Sequence, residues 1–307
     1  IYSGGSIDAL VISGIGSSAI TPINGSMGGL SEVQTLVVTN SASAIVDASS
    51  TAIPDITVNG FGLLDFTGPR SSTDSDTINV TNGTLIVDKA INIPNFNVTV
   101  GNNGVITTRL NPTGNVAENT INLTVANLNL QAGSLINANG LGYRGGLDGH
   151  SGDNGFGPGV GNGMGTGGGH GGNGGNSSSS PGTGGISYGS ITNPVEMGSG
   201  GNRSPGGNRG GRGGGAIKIV TSGNTSILGT IRANGENATT QAGGGAGGSV
   251  WIEAGGAISG NGPIEVIGGN GGSSGISGGG AGGRIALQSS NITYTGGRSA
   301  QGGTGQV

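Results

Sequence analysis

The chain has 307 residues, of which 75 are glycine, with 8% charged and 3% aromatic side chains, a formal net charge of -4 and no cysteine. Without cysteine there is no disulfide and no thiolate metal site. Two lysines and no basic cluster do not make the phosphate-neutralising surface of a nucleic-acid binder, and no apolar run reaches the roughly 18 residues of a bilayer span.

Glycine is far above its average usage of about 7%. Low net charge and abundant Val, Ile and Thr in alternating runs nevertheless point to an ordered all-β chain rather than to disorder. The first residue is Ile1, compatible with a processed secretory signal or with a fragment.

Residues 1–35 read as an N-terminal strand segment. Ile1 and Tyr2 precede a nearly uncharged stretch carrying Ile7, Leu10 and Ile12, which is expected to add a strand to a neighbouring subunit or stack on it. Residues 36–140 repeat one frame: an apolar-x-apolar triplet, then five positions on, an apolar pair. The copies are Ile56–Val58 with Leu63–Leu64, Ile78–Val80 with Leu85–Ile86, Val98–Val100 with Val105–Ile106, and Leu128–Leu130 with Leu135–Ile136; a looser copy is Leu36–Val38 with Ala44–Ile45. Their spacing is 20, 22, 20 and 30 residues, the last stretched by a polar insert at Arg109–Thr120. Asn82-Gly83, Asn103-Gly104 and Ala132-Gly133 fall where tight corners are needed, since glycine and asparagine accept positive φ at little cost.

Residues 141–215 form a long glycine-rich insertion, and residues 216–307 carry glycine-rich repeats. Gly210–Gly215, Gly243–Gly248 and Gly278–Gly283 each lead into a five-residue strand, at intervals of 33 and 35 residues, and a second short strand follows at Gly229–Gly235 and Gly262–Gly268. Leu287 and Ile292 are placed on the frame of Leu130 and Leu135 by their five-position gap. These patterns predict a parallel β-helix solenoid of about eight or nine short rungs, on the order of 40 Å long at roughly 4.8 Å per rung, with glycine-rich, polyglycine-like loops packed laterally. The alternative is an N-terminal β-sandwich of antiparallel hairpins joined to a glycine-rich β-helix. Glycine blocks this dense either stay flexible or gain many backbone hydrogen bonds as extended three-fold helices side by side.

The search for chemistry finds little. A glycosidase needs two carboxylates about 5 to 9.5 Å apart; Asp74 and Asp76 read as a solvated loop, and Asp65 and Asp88, on adjacent copies of the frame, as a structural pair with no nearby base. His150 and His170 are the only histidines; Asp148-Gly-His150-Ser-Gly-Asp153 offers oxygen and nitrogen ligands, but a metal site needs three or four groups that converge, and packing of His170 between glycine strands is the favoured reading. Gly211-Arg-Gly213 lacks the Gly-Lys-Ser/Thr ending of a phosphate loop. No catalytic residue, cofactor or metal is assigned. Trp251, the sole tryptophan, lies between Val250 and Ile252 on the opposite strand face, available to stack on a sugar or a subunit, or to be covered by a glycine loop. Asn-x-Ser/Thr sequons at Asn24, Asn79, Asn82, Asn97, Asn122, Asn176, Asn202, Asn224, Asn237 and Asn291 are candidate glycosylation sites.

Tyr143-Arg-Gly-Gly146, Gly167–Gly172 with its central His170, Gly198-Ser-Gly-Gly201 and the three glycine blocks with their strands together resemble the glycine-rich repeat region of large secreted or surface-exposed proteins. The resemblance covers residues 130–303 and implies an extracellular β-helical module, often part of a longer adhesive or structural protein. The glycine segments are also similar to polyglycine-helix adhesins of phage tail tips, a pattern without the strand repeats. The expected function is therefore non-enzymatic: an extracellular structural subunit of a filament, sheath or cell-surface fibre that polymerises head to tail with itself through its two ends, Ile1–Ile12 at one and Tyr294 to Val307 at the other. A glycan-binding adhesin on a host or cell surface is the second reading, and a polysaccharide lyase or hydrolase the least favoured.

Overall fold

The computed structural model describes residues 7–14, 19–24, 30–47, 53–72, 74–111, 114–147, 154–178, 182–204, 207–273 and 277–305. The strands of the first part are β1 (Ile7–Ser13), β2 (Ile20–Ile23), β3 (Val33–Thr39), β4 (Ser43–Val46), β5 (Asp55–Val58), β6 (Leu63–Phe66), β7 (Arg70–Ser71), β8 (Thr77–Val80), β9 (Thr84–Val87), β10 (Ala90–Val100), β11 (Val105–Thr107), β12 (Ile121–Leu130) and β13 (Leu135–Asn137). After the long glycine-rich insertion come β14 (Ala216–Thr221), β15 (Thr225–Ile227), β16 (Thr230–Arg232), β17 (Ser249–Ala254), β18 (Ala257–Gly260), β19 (Ile264–Glu265), β20 (Arg284–Gln288), β21 (Asn291–Ile292) and β22 (Arg298–Ser299).

The strands collect into two sheets, one of 13 strands with the main order β1-β3-β5-β8-β10-β12-β14-β17-β20, the other of 9 in the order β2-β4-β6-β9-β11-β13-β16-β19-β22. Every ladder between these strands is parallel. Both sequence-based fold expectations are thereby corrected. Parallel ladders rule out an N-terminal sandwich of antiparallel hairpins. Two large parallel sheets, rather than a closed solenoid of eight or nine short rungs, fit a different fold from a β-helix. Unequal strands are the local cause: β10 and β12 run for 11 and 10 residues while β7 has 2. Each glycine repeat also supplies three short strands where the pattern promised two; β14 and β15 join the larger sheet and β16 the smaller.

Register explains why the apolar frame repeats. Val38, Val58, Val80, Val100, Leu130 and Ile227 are successive Cα partners across the larger sheet. Ala44, Leu64, Leu85, Ile106, Ile136, Ile231 and Ile264 do the same across the smaller one. All thirteen are at most 2% exposed and belong to one continuous core, so each fully buried Leu, Ile or Val contributes roughly 1.5–3 kcal/mol. The corners stack as well: Asn82, Asn103 and Gly133 all have positive φ, and Asn82 N–H donates to Asn102 O and Asn103 N–H to Gly133 O.

The glycine-rich residues build a second interior with almost no side chains. Gly243 and Ala246 donate their N–H groups to Asn202 and Ser199, Gly244 and Gly247 to Gly278 and Ala281, Gly245 and Gly248 to Glu236 and Ala233. Donors three residues apart thus share one neighbouring segment, the signature of an extended helix with three residues per turn. Carbonyls of the same row accept from Gly211 and Gly214, from Gly168, and from Gly269, so this row is bonded on all sides. A Cβ on Gly245 or Gly248 would lie closer than 3.0 Å to a neighbouring carbonyl. Only glycine lets the backbones approach this far, and the hydrogen bonds offset the entropy lost in ordering it.

Candidate functional site

The ends of the sheets lie at β1 and β2 on one side and at β20, β21 and β22 on the other. Strand β1 pairs with β3 through Ile7↔Val33, Leu10↔Leu36 and Ile12↔Val38. Leu10 and Ile12 pack against the end of the core, whereas Ile7 is 47% exposed. Sequence reading missed two better-exposed neighbours, Val11 at 57% and Ile20 at 55%; alternation within β1 puts Val11 on the face opposite Leu10 and Ile12, and it could have been found there. At the other end Ile292 is exposed, but Tyr294 is buried, its hydroxyl donating to Gly262 O, with Arg298 over the ring. Ile1, Tyr2 and Val307 lie outside the described residues.

Asp65 and Asp88 are brought together by a base the sequence reading did not place there. The Arg109 guanidinium, on the polar insert, bridges them: Nη1 to Asp88 Oδ2 at 2.6 Å and Nη2 to Asp65 Oδ2. Asp88 also accepts from Gly68 N–H at 3.0 Å. Burial pushes the Asp65 carboxyl above the usual carboxylate range, Arg109 pulls it back, and Asp88 adds to the rise. The guanidinium occupies the space between the carboxylates, so the geometry is that of a clamp fastening the insert to the sheet.

Asp74 and Asp76 line a groove of about 380 Å³ together with Asp55. Asp55 Oδ1 accepts from Thr77 N–H and Oγ1 at 2.7 and 2.8 Å, and burial, Asp55 and Asp74 raise the Asp76 pKa. Among the described residues no three His, Cys, Asp or Glu side chains converge as metal ligands; Asp148, His150 and Asp153 lie outside those residues.

His170 sits wholly buried among glycine rows, its Nδ1 2.7 Å from Gly247 O and its ring 4.9 Å from that of Tyr188. Burial holds the imidazole below its ordinary pKa, against the Gly247 carbonyl. Tyr188 donates its hydroxyl to Met197 O and accepts from Ser199 Oγ, while the Arg284 guanidinium donates to the carbonyls of His170 and Tyr188. Every contact ties one backbone segment to another.

Parallel sheets need both faces covered, and the segment 188–197 is bonded to β17 and β20 on one face. Ser249 Oγ donates to Glu196 O at 2.6 Å, Gln288 Nε2 to Thr192 O at 2.6 Å, and Trp251 Nε1 to Gln288 Oε1 at 3.2 Å. Trp251, flanked in register by Lys218 and Ala286, is only 8% exposed and has the Lys218 ammonium 4.6 Å from its ring.

The sequon asparagines divide. Asn202 is fully buried, its Nδ2 donating to Gly161 O, Gly163 O and Thr166 Oγ1 at 2.8 Å each, so its amide nitrogen is closed to a glycan. Asn79, Asn97, Asn176, Asn224, Asn237 and Asn291 are exposed, and Asn24, Asn82 and Asn122 half-buried. Two of them, Asn224 and Asn237, belong to asparagine ladders that the sequence reading did not foresee: Asn127 Oδ1 accepts from Asn224 N–H and Asn224 Oδ1 from Ala257 N–H, while Asn139, Asn234 and Ile267, outside the sequons, are linked in the same way. Asn237 and Asn270, 33 residues apart, make a third such link. That spacing, equal to the glycine period, was the available signal.

No helix among the described residues is long and apolar enough to cross a membrane. Compared with protein-family models, with curated proteins and with solved structures, the chain matches none of them.

Proposed function

We propose that this chain is an extracellular structural protein, a subunit of a filament, sheath or surface fibre, that assembles with itself through its sheet ends and glycine-rich faces. The observation that carries the reading is the apolar edge at β1 and β2, where Ile7, Val11 and Ile20 are each about half exposed on strands paired along one side only. A strand edge of this kind is a template for addition of another chain unless it is covered or charged, and an edge meeting a different edge gives an open, non-closing polymer. The buried polar clusters support a structural role, since Arg109 joins Asp65 to Asp88 and the side chains of Tyr188, Asn202 and Arg284 bond to backbone carbonyls of other segments. The glycan-binding reading has less to stand on, because Trp251 is covered by its own chain.

Sedimentation velocity and negative-stain microscopy over a concentration series test the proposal. Wild-type protein is expected to form fibres of regular repeat, and the double variant Val11→Asp, Ile20→Asp, altered only at exposed positions, to remain dispersed with an unchanged circular dichroism spectrum. Dispersed wild-type particles at every concentration would reject it.

A further inference from the structure

One region of the larger sheet turns short polar side chains outward, although parallel sheets are ordinarily covered on both faces. Thr57, Asn79, Thr99, Asn129, Ser226 and Ser259 are successive register partners there, and each is exposed or half-buried. The side chains of Thr57, Thr99, Asn129, Ser226 and Ser259 bond to no described residue.

A second row runs beside the first, two positions earlier on each strand: Asn97 on β10, Asn127 on β12, Asn224 just before β15, Ala257 on β18 and Asn291 on β21. Three of these open sequons, Asn97-Val-Thr99, Asn224-Thr-Ser226 and Asn291-Ile-Thr293. A sequon therefore stands on every second strand of the row, about 9.6 Å from the next. Strand alternation puts each asparagine and its hydroxyl residue on the same face, and all of them are exposed or half-buried.

Backbone donors fix the amide orientations. Ala257 N–H donates to Asn224 Oδ1 at 2.8 Å and Asn224 N–H to Asn127 Oδ1 at 2.7 Å. A backbone N–H donates only to the oxygen of an amide, so the other polar atom of Asn127 is its nitrogen, and this Nδ2 donates to Asn97 Oδ1 at 2.8 Å. Asn97 and Asn224 are thus held by their oxygens, their Nδ2 atoms bonded to no described residue, and Asn291 is exposed. Replacing one hydrogen on these nitrogens leaves every bond of the row whole. Asn79 and the buried Asn202 are the reverse case, with Nδ2 donating to protein acceptors.

We infer that Asn97, Asn224 and Asn291 carry N-linked glycans, ranged across this polar face. In the attachment step Nδ2 attacks the anomeric carbon of a diphosphate-activated sugar. The C–N bond forms as the C–O bond to the diphosphate breaks, the diphosphate leaves with that electron pair, and the amide gives one proton to a base of the glycosyltransferase. This rests on the extracellular reading above, which brings the chain to such an enzyme, and not on self-assembly.

Peptide mapping by mass spectrometry of the protein purified from its natural source tests the assignment. Hydrolysis of the N-glycosidic bonds in heavy-oxygen water then marks each carrier as a labelled aspartate. The expected result is a mass gain of one or more sugar residues at Asn97, Asn224 and Asn291, and none at Asn202. Ser226→Ala, produced in the same source, removes a hydroxyl that bonds to no described residue; it should abolish the sugar at Asn224 alone, and Ser226→Thr should retain it. A bare Asn97, Asn224 or Asn291 in wild type, a sugar on Asn202, or undiminished glycosylation of Asn224 in Ser226→Ala overturns the proposal. Glycosylated particles that never associate would overturn self-assembly and leave the glycans standing; filaments of bare protein would do the opposite.

Discussion

The described residues of 30–140 pack around an apolar side-chain core, whereas those of 141–305 continue that core through Ile217, Ile231, Ile252 and Ile264 and add beside it an interior made of backbone. In the first region Val, Leu and Ile side chains from two sheets meet in one core, and the backbone stays at ordinary strand separation. In the second, beside the continued apolar core, rows such as Gly243–Gly248 touch backbone to backbone, and their N–H groups and carbonyls satisfy one another. The lesson is one of sensitivity: the apolar core is damaged by removing atoms, the glycine interior by adding them.

The largest effect that would break or confirm this contrast comes from Gly245→Val. Its Cβ would overlap the Arg212 carbonyl, which belongs to backbone bonded on other sides and cannot move away. A loss of about 3 kcal/mol or more is expected, read as a fall in the urea midpoint. Leu64→Ala, in the other interior, should cost about 2–5 kcal/mol through its cavity. If Gly245→Val were as stable as wild type, the glycine interior would not be close-packed.

Next in size is Arg109→Met. It leaves the Asp65 and Asp88 carboxylates side by side at a partly buried position, and about 1–3 kcal/mol should be lost at pH 7. The loss should shrink in acid. Asp65, its folded pKa raised, favours the protonated form in the native state, so its contribution to stability falls as pH rises from the ordinary carboxylate value through the folded one. Removing the cation that opposes this rise extends the window upward. Urea midpoints of both proteins from pH 3 to pH 8 give the answer.

Much of the first region was legible. Apolar positions that recur with one internal gap are Cα partners in register, and the asparagine and glycine corners have the positive φ their chemistry suggested. The sheet plan was not legible, because a strand's period of two says which residues face inward but not how many strands join one sheet. Leu287 shows the difficulty. Its five-position gap to Ile292 aligned it with Leu130, yet it pairs with Ile252, while Leu130 pairs with Ile227. Nor was Arg109 visible as the partner of Asp65, since 44 residues separate them and only the fold brings them together.

A smaller effect distinguishes the two interiors by pH. His170 is held neutral by burial among the glycine rows, so its folded pKa is lowered from the ordinary value near 6.5. The stability this represents is fully present above that value and is lost as pH falls below it toward the folded pKa, with a slope of at most about 1.4 kcal/mol per pH unit. In His170→Gln this part of the acid dependence should disappear, as chemical denaturation between pH 4 and pH 8 would show. The smallest effect is that of Lys218→Ala, which removes the cation over Trp251 and should cost about 0.5–1 kcal/mol.

The most direct measurement is residue-resolved amide hydrogen exchange of the dispersed protein, comparing the Gly243–Gly248 row with the core strand residues Val98–Val100. The account predicts protection of the same order in both, because every amide of the row is bonded to an ordered neighbour. Exchange of Gly243–Gly248 at the rate of an unstructured peptide, with Val98–Val100 still protected, would contradict it.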